Sequence, residues 1–247
     1  MYVQRSGITC ASVSITSSRS DAAASAYFFS IQMRSLCIET ALIDKHANVI
    51  DYATLDVQLD HYVGLDEVGR GPLAGPVVAA AVVLGEAADW REITDSKALT
   101  AQHREQLCSH IKQHASAWSL GRCECHEIDH LNIFNASLLA MQRAFEALPA
   151  SPELALVDGK YSPVLSIKSY AVIKGDLYVP AIGAASIIAK VARDQEMVAL
   201  DRLYPAYGFA QNKGYPTPTH LAALRRHGAC QQHRKSFKPV ADVCHDA

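Results

Sequence analysis

Between Asp201 and Asp242 the chain contains no acidic residue. The same stretch carries Arg202, Lys213, Arg225, Arg226, Arg234, Lys235 and Lys238, with His220, His227 and His233 among them. A positive region without counter-charges, on a chain of formal net charge −2, is the footprint expected of a face that meets a polyanion. The plainer alternative is a solvated helix surface. Long apolar runs are also missing. Val77–Leu84 is too short to cross a bilayer and reads as a buried strand, so no membrane partner is expected. The seven cysteines, Cys10, Cys37, Cys108, Cys123, Cys125, Cys230 and Cys244, are odd in number and scattered, which excludes a disulfide framework. They fit a reducing compartment, and a cytoplasmic location is expected.

The first 25 residues lack both a compact apolar run and a helical or strand period, which argues against a secretory signal. No acid precedes Asp21, so a transit-like leader is one alternative to a disordered extension. Residues 1–57 are expected to be such an extension, 58–240 a folded domain and 241–247 a tail. With 49% apolar and 19% charged residues, the chain has enough to bury a sizeable core.

Tyr62–Asp66 and Val77–Leu84 read as strands, joined by a glycine- and proline-rich turn at Gly69–Pro76. Thr100 is placed to cap a helix running to His114. Ser116–Cys123 reads as a third strand. His126–Leu148 reads as one long helix, with Ile128, Leu131, Leu138, Met141, Phe145 and Leu148 at helical spacing. Strands are expected at Leu154–Val157 and Tyr170–Ile173. A helix is expected at Ala184–Leu203, with Ile187, Ile188, Val191 and Leu203 turned inward, and another at Thr219–His227, stopped by Gly228. This order implies an α/β domain, a mixed sheet with helices packed on it.

Four acids stand at strand ends: Asp66 and Glu67 after the first strand, Asp158 after the fourth, Asp176 after the fifth. Strand ends gather at one rim of a sheet, so Asp66 and Asp158 face each other if their strands are neighbours. Clustered carboxylates repel unless a cation neutralises them, and hard oxygen donors suit magnesium or manganese. Two such ions serve phosphodiester hydrolysis, one activating water and the other stabilising the leaving oxygen. Each acid taken alone reads as an ordinary turn or cap residue; the set reverses that reading. Adjacent strand residues point to opposite faces, so either the strand ends at Glu67 or one acid acts through a backbone group.

Gly69-Arg70-Gly71-Pro72-Leu73-Ala74 matches a dinucleotide fingerprint, but Pro76 and a β-branched run replace the helix that would hold a pyrophosphate. Cys123, Cys125, His126 and His130 lack the second ligand pair of a structural zinc site. Lys97 touches phosphate or simply opens a helix. Tyr215, in a Gly-Tyr-Pro turn, is an exposed stacking ring or a core tyrosine.

Together, Gly64–Gly71 with Pro72–Pro76, Asp95-Ser96-Lys97, His126–Asp129 with Asn132-Ile133, Val157-Asp158-Gly159 and Lys174-Gly175-Asp176 resemble ribonuclease HII. So do Ala184–Asp194, Tyr207-Gly208-Phe209, Lys213–Thr217 and His233–Phe237, in family order. The resemblance implies a ribonuclease H-like fold, a mixed five-stranded sheet flanked by helices with a helical C-terminal part. It makes 58–240 the catalytic domain and a monomer the expected state. It implies cleavage of RNA in RNA–DNA hybrids and incision 5′ to single ribonucleotides in duplex DNA, leaving 5′-phosphate and 3′-hydroxyl ends. By the same resemblance Asp66, Glu67 and Asp158 are metal ligands and Asp176 the fourth acid, for Mn2+ or Mg2+, two ions with substrate bound. Gly69, Arg70 and Gly71 sense the ribose 2′-hydroxyl, and Tyr215 packs on the deoxyribose beside the RNA-to-DNA junction. Lys97 joins the substrate-binding set. Leu177-Tyr178 and Ala181 depart from the family pattern. Ribonuclease HIII is a neighbouring reading, but residues 1–60 lack the basic cluster of an N-terminal nucleic-acid-binding domain. A non-catalytic hybrid-binding module is the alternative from another class, and it does not need all four acids.

Overall fold

Two short apolar runs, buried on both faces and joined by the Gly- and Pro-rich loop Gly69–Pro76, produce a hairpin at the centre of the fold. In the computed structural model, which describes residues 61–86, 88–90, 92–93 and 99–245, β1 (Tyr62–Val68) pairs antiparallel with β2 (Val77–Val83). The expected extension at 1–57 and Lys97 lie outside the described residues. Thr100 caps α1 (Ala101–His114), its hydroxyl accepting the His103 N–H at 3.2 Å. β3 (Ala117–Cys123) then adds antiparallel to β2. After α2 (Cys125–Glu146), β4 (Leu154–Asp158) pairs parallel with β1, and β5 (Lys168–Val172) pairs parallel with β4. The sheet order is β3-β2-β1-β4-β5, a mixed five-stranded sheet as expected.

A helical C-terminal part follows: α3 (Gly175–Tyr178), α4 (Pro180–Leu203), a 3-10 turn at Pro205–Tyr207, α5 (Phe209–Asn212), α6 (Pro218–His227) and α7 (Lys238–His245). α7 runs into the stretch expected to be a tail, and its Val240 is fully buried against Leu73 and Leu224.

Helices cover both faces of the sheet. Val63, Leu65, Val77, Ala79 and Ala155 pack with Ile128, Ala136, Ala140 and Ala144 of α2. On the other face, α4 lies so close to β1 that a Cβ at Gly64 would stand 2.2 Å from the Ala181 carbonyl carbon. Ile182, Ile187 and Ile188 are fully buried, each contributing about 1.5–3 kcal/mol.

Three sequence expectations change. The single helix His126–Leu148 is broken at Asn132 (φ 66°, ψ 163°). There the Asn132 side chain accepts the Asn135 N–H at 3.1 Å, and the Asn135 amide donates to the freed Leu131 carbonyl at 3.0 Å. An asparagine that competes for its own backbone opens a second helix within the first. α4 begins at Pro180 rather than Ala184, because proline is preorganised for the first helical position. Leu203 is 72% exposed rather than inward, since the last turn of α4 outruns the sheet.

Candidate active site

The two acids expected to face each other are brought together. β1 and β4 are parallel neighbours in the register Gly64–Leu156 and Leu65–Val157. The next step sets Asp66 level with Asp158 at the C-terminal rim of both strands. Strand alternation turns Asp66 toward α4, where Ser186 hydrogen-bonds its carboxylate. The Glu67 N–H donates to Asp66 Oδ1 at 2.8 Å. β1 continues to Val68, so the strand does not end at Glu67; the residue supports Asp66 through its backbone. The Glu67 side chain takes Arg70 as its partner, Nη1 to Oε1 at 3.0 Å. Asp158 accepts the Gly175 N–H at 2.7 Å, which ties it to the first residue of α3. Asp176 follows directly on that helix.

Asp66 is 7% exposed, and its carboxyl is held well above the usual carboxylate range. Burial is the main cause, with the charges of Glu67 and Asp158 adding to it. Burial also raises Glu67, the Arg70 guanidinium pulls it down, and Asp158 pushes it up. The site therefore gathers carboxyl groups where water is scarce and where ionising them is costly unless a cation compensates. Among the described residues no three His, Cys, Asp or Glu side chains form a ready ligand cluster. Asp66, Glu67 and Asp158 sense one another's charge while each holds a local hydrogen-bond partner. An all-carboxylate donor set with surplus charge fits a hard divalent cation by its chemistry.

Beside the acids, the loop Gly69–Pro76 is clamped by two fully buried arginines. Arg193 of α4 donates to the carbonyls of Pro76 (2.9 Å), Ala74 (3.1 Å) and Lys213 (3.0 Å). Arg234 donates to those of Gly69 (2.6 Å), Arg70 (3.0 Å) and Gly75 (2.8 Å). Gly69 has φ +96°, and a Cβ there would lie 2.2 Å from Arg193 Nε, so the clamp and the turn both require glycine. Leu73 N–H donates to Gly214 O and Gly75 N–H to Gln232 O, each at 2.8 Å. Through these bonds Tyr215 comes beside the loop. A Cβ at Gly71 would meet its ring at 3.4 Å, and the ring is 41% exposed.

The clamp was not legible as such. Arg234, His220 and His233 counted toward the basic region, but all are buried. Arg225, Arg226, Lys235 and Lys238 remain exposed. Asp129 accepts the N–H groups of Lys235 (3.0 Å) and Ser236 (2.8 Å) and the Ser236 hydroxyl (2.6 Å). It thereby anchors the segment that delivers Arg234. Its neighbour Glu127 pairs with Arg143 at 2.8 Å. The only sequence signal for these roles was their place in the matching motif blocks.

The ribonuclease HII family model matches residues 63–240. The chain belongs to the ribonuclease HII family. Ribonuclease HII is a metal-dependent endonuclease with ribonuclease H activity on RNA–DNA hybrids. A ribonuclease HII of Aliivibrio fischeri strain MJ11 is 56% identical over 182 residues, covering 74% of this chain and 88% of its own. One of Aliivibrio salmonicida is 54% identical over the same shares. The crystal structure of ribonuclease H2 from Pyrococcus horikoshii OT3 aligns with TM-score 0.63 at 26% identity, covering 75% of this chain and 97% of that one. Bst-RNase HIII in complex with Mn2+ aligns with TM-score 0.63 at 18% identity, covering 82% and 74%, which shows a common fold.

Proposed function

We propose that this ribonuclease HII nicks duplex DNA 5′ to a single embedded ribonucleotide, besides cleaving the RNA strand of hybrids, and leaves 5′-phosphate and 3′-hydroxyl ends. The observation that carries the reading is one continuous element, β1 and its following loop. It sets Asp66 and Glu67 beside Asp158 and then runs into Gly69-Arg70-Gly71 against Tyr215. Asp66, Glu67, Asp158 and Asp176 hold divalent cations, manganese or magnesium, two of them with substrate bound. When bound, these ions supply an activated water and stabilisation of the leaving 3′-oxygen.

The chain's own groups do the rest. The Glu67 N–H and Ser186 fix the Asp66 carboxylate, and the Gly175 N–H fixes that of Asp158. The backbone at Gly69–Gly71 approaches the minor groove, where the 2′-hydroxyl is the one group that marks RNA. Arg70 leaves Glu67 for a phosphate, which its planar fork holds in bidentate fashion. Tyr215 packs on the adjoining deoxyribose. Lys97 contacts phosphate. The protein works as a monomer in the cytoplasm, the reducing compartment that its odd, scattered cysteines fit. Among the described residues no helix is long and apolar enough to cross a membrane.

The test is incision of a labelled DNA duplex carrying one ribonucleotide, with magnesium or manganese and with chelator. A single nick 5′ to the ribonucleotide in the presence of either ion is expected. Folded protein that leaves this substrate intact under both ions, while cutting a long hybrid, removes the single-ribonucleotide reading.

A further inference from the structure

Behind Tyr215 lies a buried polar chain that the nuclease chemistry does not use. His220 and His233 are 0% and 1% exposed, and their Nε2 atoms stand 3.1 Å apart. His220 Nδ1 lies 2.8 Å from the Tyr215 carbonyl, which accepts only, so that nitrogen carries the proton. In a neutral ring its Nε2 is then bare, and His233 Nε2–H must donate to it. That leaves His233 Nδ1 bare, and it accepts the Cys230 N–H at 3.0 Å. One assignment satisfies every bond: Cys230 N–H to His233, His233 to His220, His220 to Tyr215. A proton on either bare nitrogen would break a link. Burial lowers His220, and burial with the neighbouring His220 lowers His233 to about 4, so both are neutral near pH 7.

The aromatic walls fix the pair. Tyr207 lies 4.8 Å from the His233 ring and Phe209 5.5 Å from the His220 ring, both centroid to centroid. The Tyr207 hydroxyl is occupied by Gly228 O at 2.9 Å and does not compete. His220 sits in the first turn of α6, its own N–H on the Thr217 hydroxyl at 3.2 Å. The far end of the chain is equally anchored. His233 bridges to Ala74, and the adjacent Arg234 grips the Gly69 and Arg70 carbonyls. Tyr215 is exposed, so its ring direction depends on its backbone. The Tyr215 carbonyl is held by the Thr217 N–H at 2.8 Å and by His220.

We propose that His220 and His233 are positioning residues for substrate discrimination: as a neutral hydrogen-bonded pair they couple the Tyr215 turn to the Gly69–Gly71 loop and so hold both halves of the ribose sensor in register. This rests on the reading of those segments as the sensor. Neither histidine touches substrate or metal. Their effect falls on the choice of substrate and not on the hydrolytic step.

The experiment compares kcat/KM on a duplex with one embedded ribonucleotide and on a uniform RNA–DNA hybrid, for the full chain and its variants. His220→Leu is expected to lower the single-ribonucleotide to hybrid ratio roughly tenfold, the scale of one lost buried hydrogen bond. His220→Asn keeps an N–H at the Nδ1 position but loses the Nε2 link to His233, so it too is expected to lower the ratio; a normal ratio with Asn would show that the link to Tyr215 suffices and overturn the coupling. Tyr215→Ala lowers the ratio by itself, and His220→Leu added to it lowers it no further. If His220→Leu depresses both substrates equally while Tyr215→Ala shifts the ratio, the pair is merely structural and the proposal is overturned. If Tyr215→Ala leaves the ratio unchanged, the sensor reading has failed and takes this proposal with it. Should His220→Leu not fold, His220→Gln makes the same comparison, because its amide reaches the Nε2 and not the Nδ1 position. A lowered ratio supports the coupling, and an unchanged one overturns it.

Discussion

Asp66 is a single residue whose burial is costly to the fold and whose carboxylate the proposed metal site needs. Its carboxyl is raised by burial and by the charges of Glu67 and Asp158. For an acid raised in the folded state, the stability it contributes is present below its unfolded pKa and is lost as pH rises through the folded value. In metal-free buffer near neutrality the charged form therefore destabilises the fold. Asp66→Asn keeps an oxygen for the Glu67 N–H while removing that charge. It is expected to raise the metal-free melting temperature at pH 7.5 by about 2–4 °C, the shift that 1 kcal/mol gives a domain of this size. The gain should shrink as pH is lowered, and cleavage should be abolished. An unchanged or lower melting temperature at pH 7.5 would show that the charge is already compensated.

Whole elements carry a different lesson. The hairpin, β4, α1 and its Thr100 cap were legible because local patterning and long-range packing agree there. The break at Asn132 was not, since apolar spacing continues across it and only the asparagine side chains redirect the backbone. Asp158 was legible as the residue that closes β4, whereas Asp66 and Glu67 lie inside β1, which runs on to Val68, and Asp176 lies on α3. The arginine clamp was hidden because a buried Arg234 and an exposed Arg226 look alike as letters. The clamp belongs to the scale of the loop, and so does its test. Arg234→Met leaves the carbonyls of Gly69, Arg70 and Gly75 without their donors and should destabilise the fold by about 2–4 kcal/mol, offset in part by removal of a buried charge. Urea denaturation should show the loss, and amide exchange should quicken between Gly69 and Gly75. Normal protection of those amides would mean that Arg193 suffices.

At the scale of the molecule, the basic C-terminal part divides into an inner and an outer set. Arg193 and Arg234 hold the loop, whereas Arg225, Arg226, Lys235 and Lys238 face solvent. Only the outer set is free to displace counterions from a duplex. Arg225→Ala with Arg226→Ala should weaken binding of hybrid and plain duplex alike. Fluorescence anisotropy across a salt series should show the slope of log K against log salt falling by roughly one for each phosphate that the protein no longer neutralises. An unaltered slope would place the duplex elsewhere on the surface.

Arg234 reaches back 165 residues to close the loop at Gly69. During synthesis the ribosome has long since released β1 with both its acids when that arginine emerges. The acid pair of β1 is thus encoded early and half of the clamp on the neighbouring loop late. A chain interrupted before Arg234 would retain Asp66, Glu67, Asp158 and Asp176 while lacking half of the clamp that shapes the loop beside them.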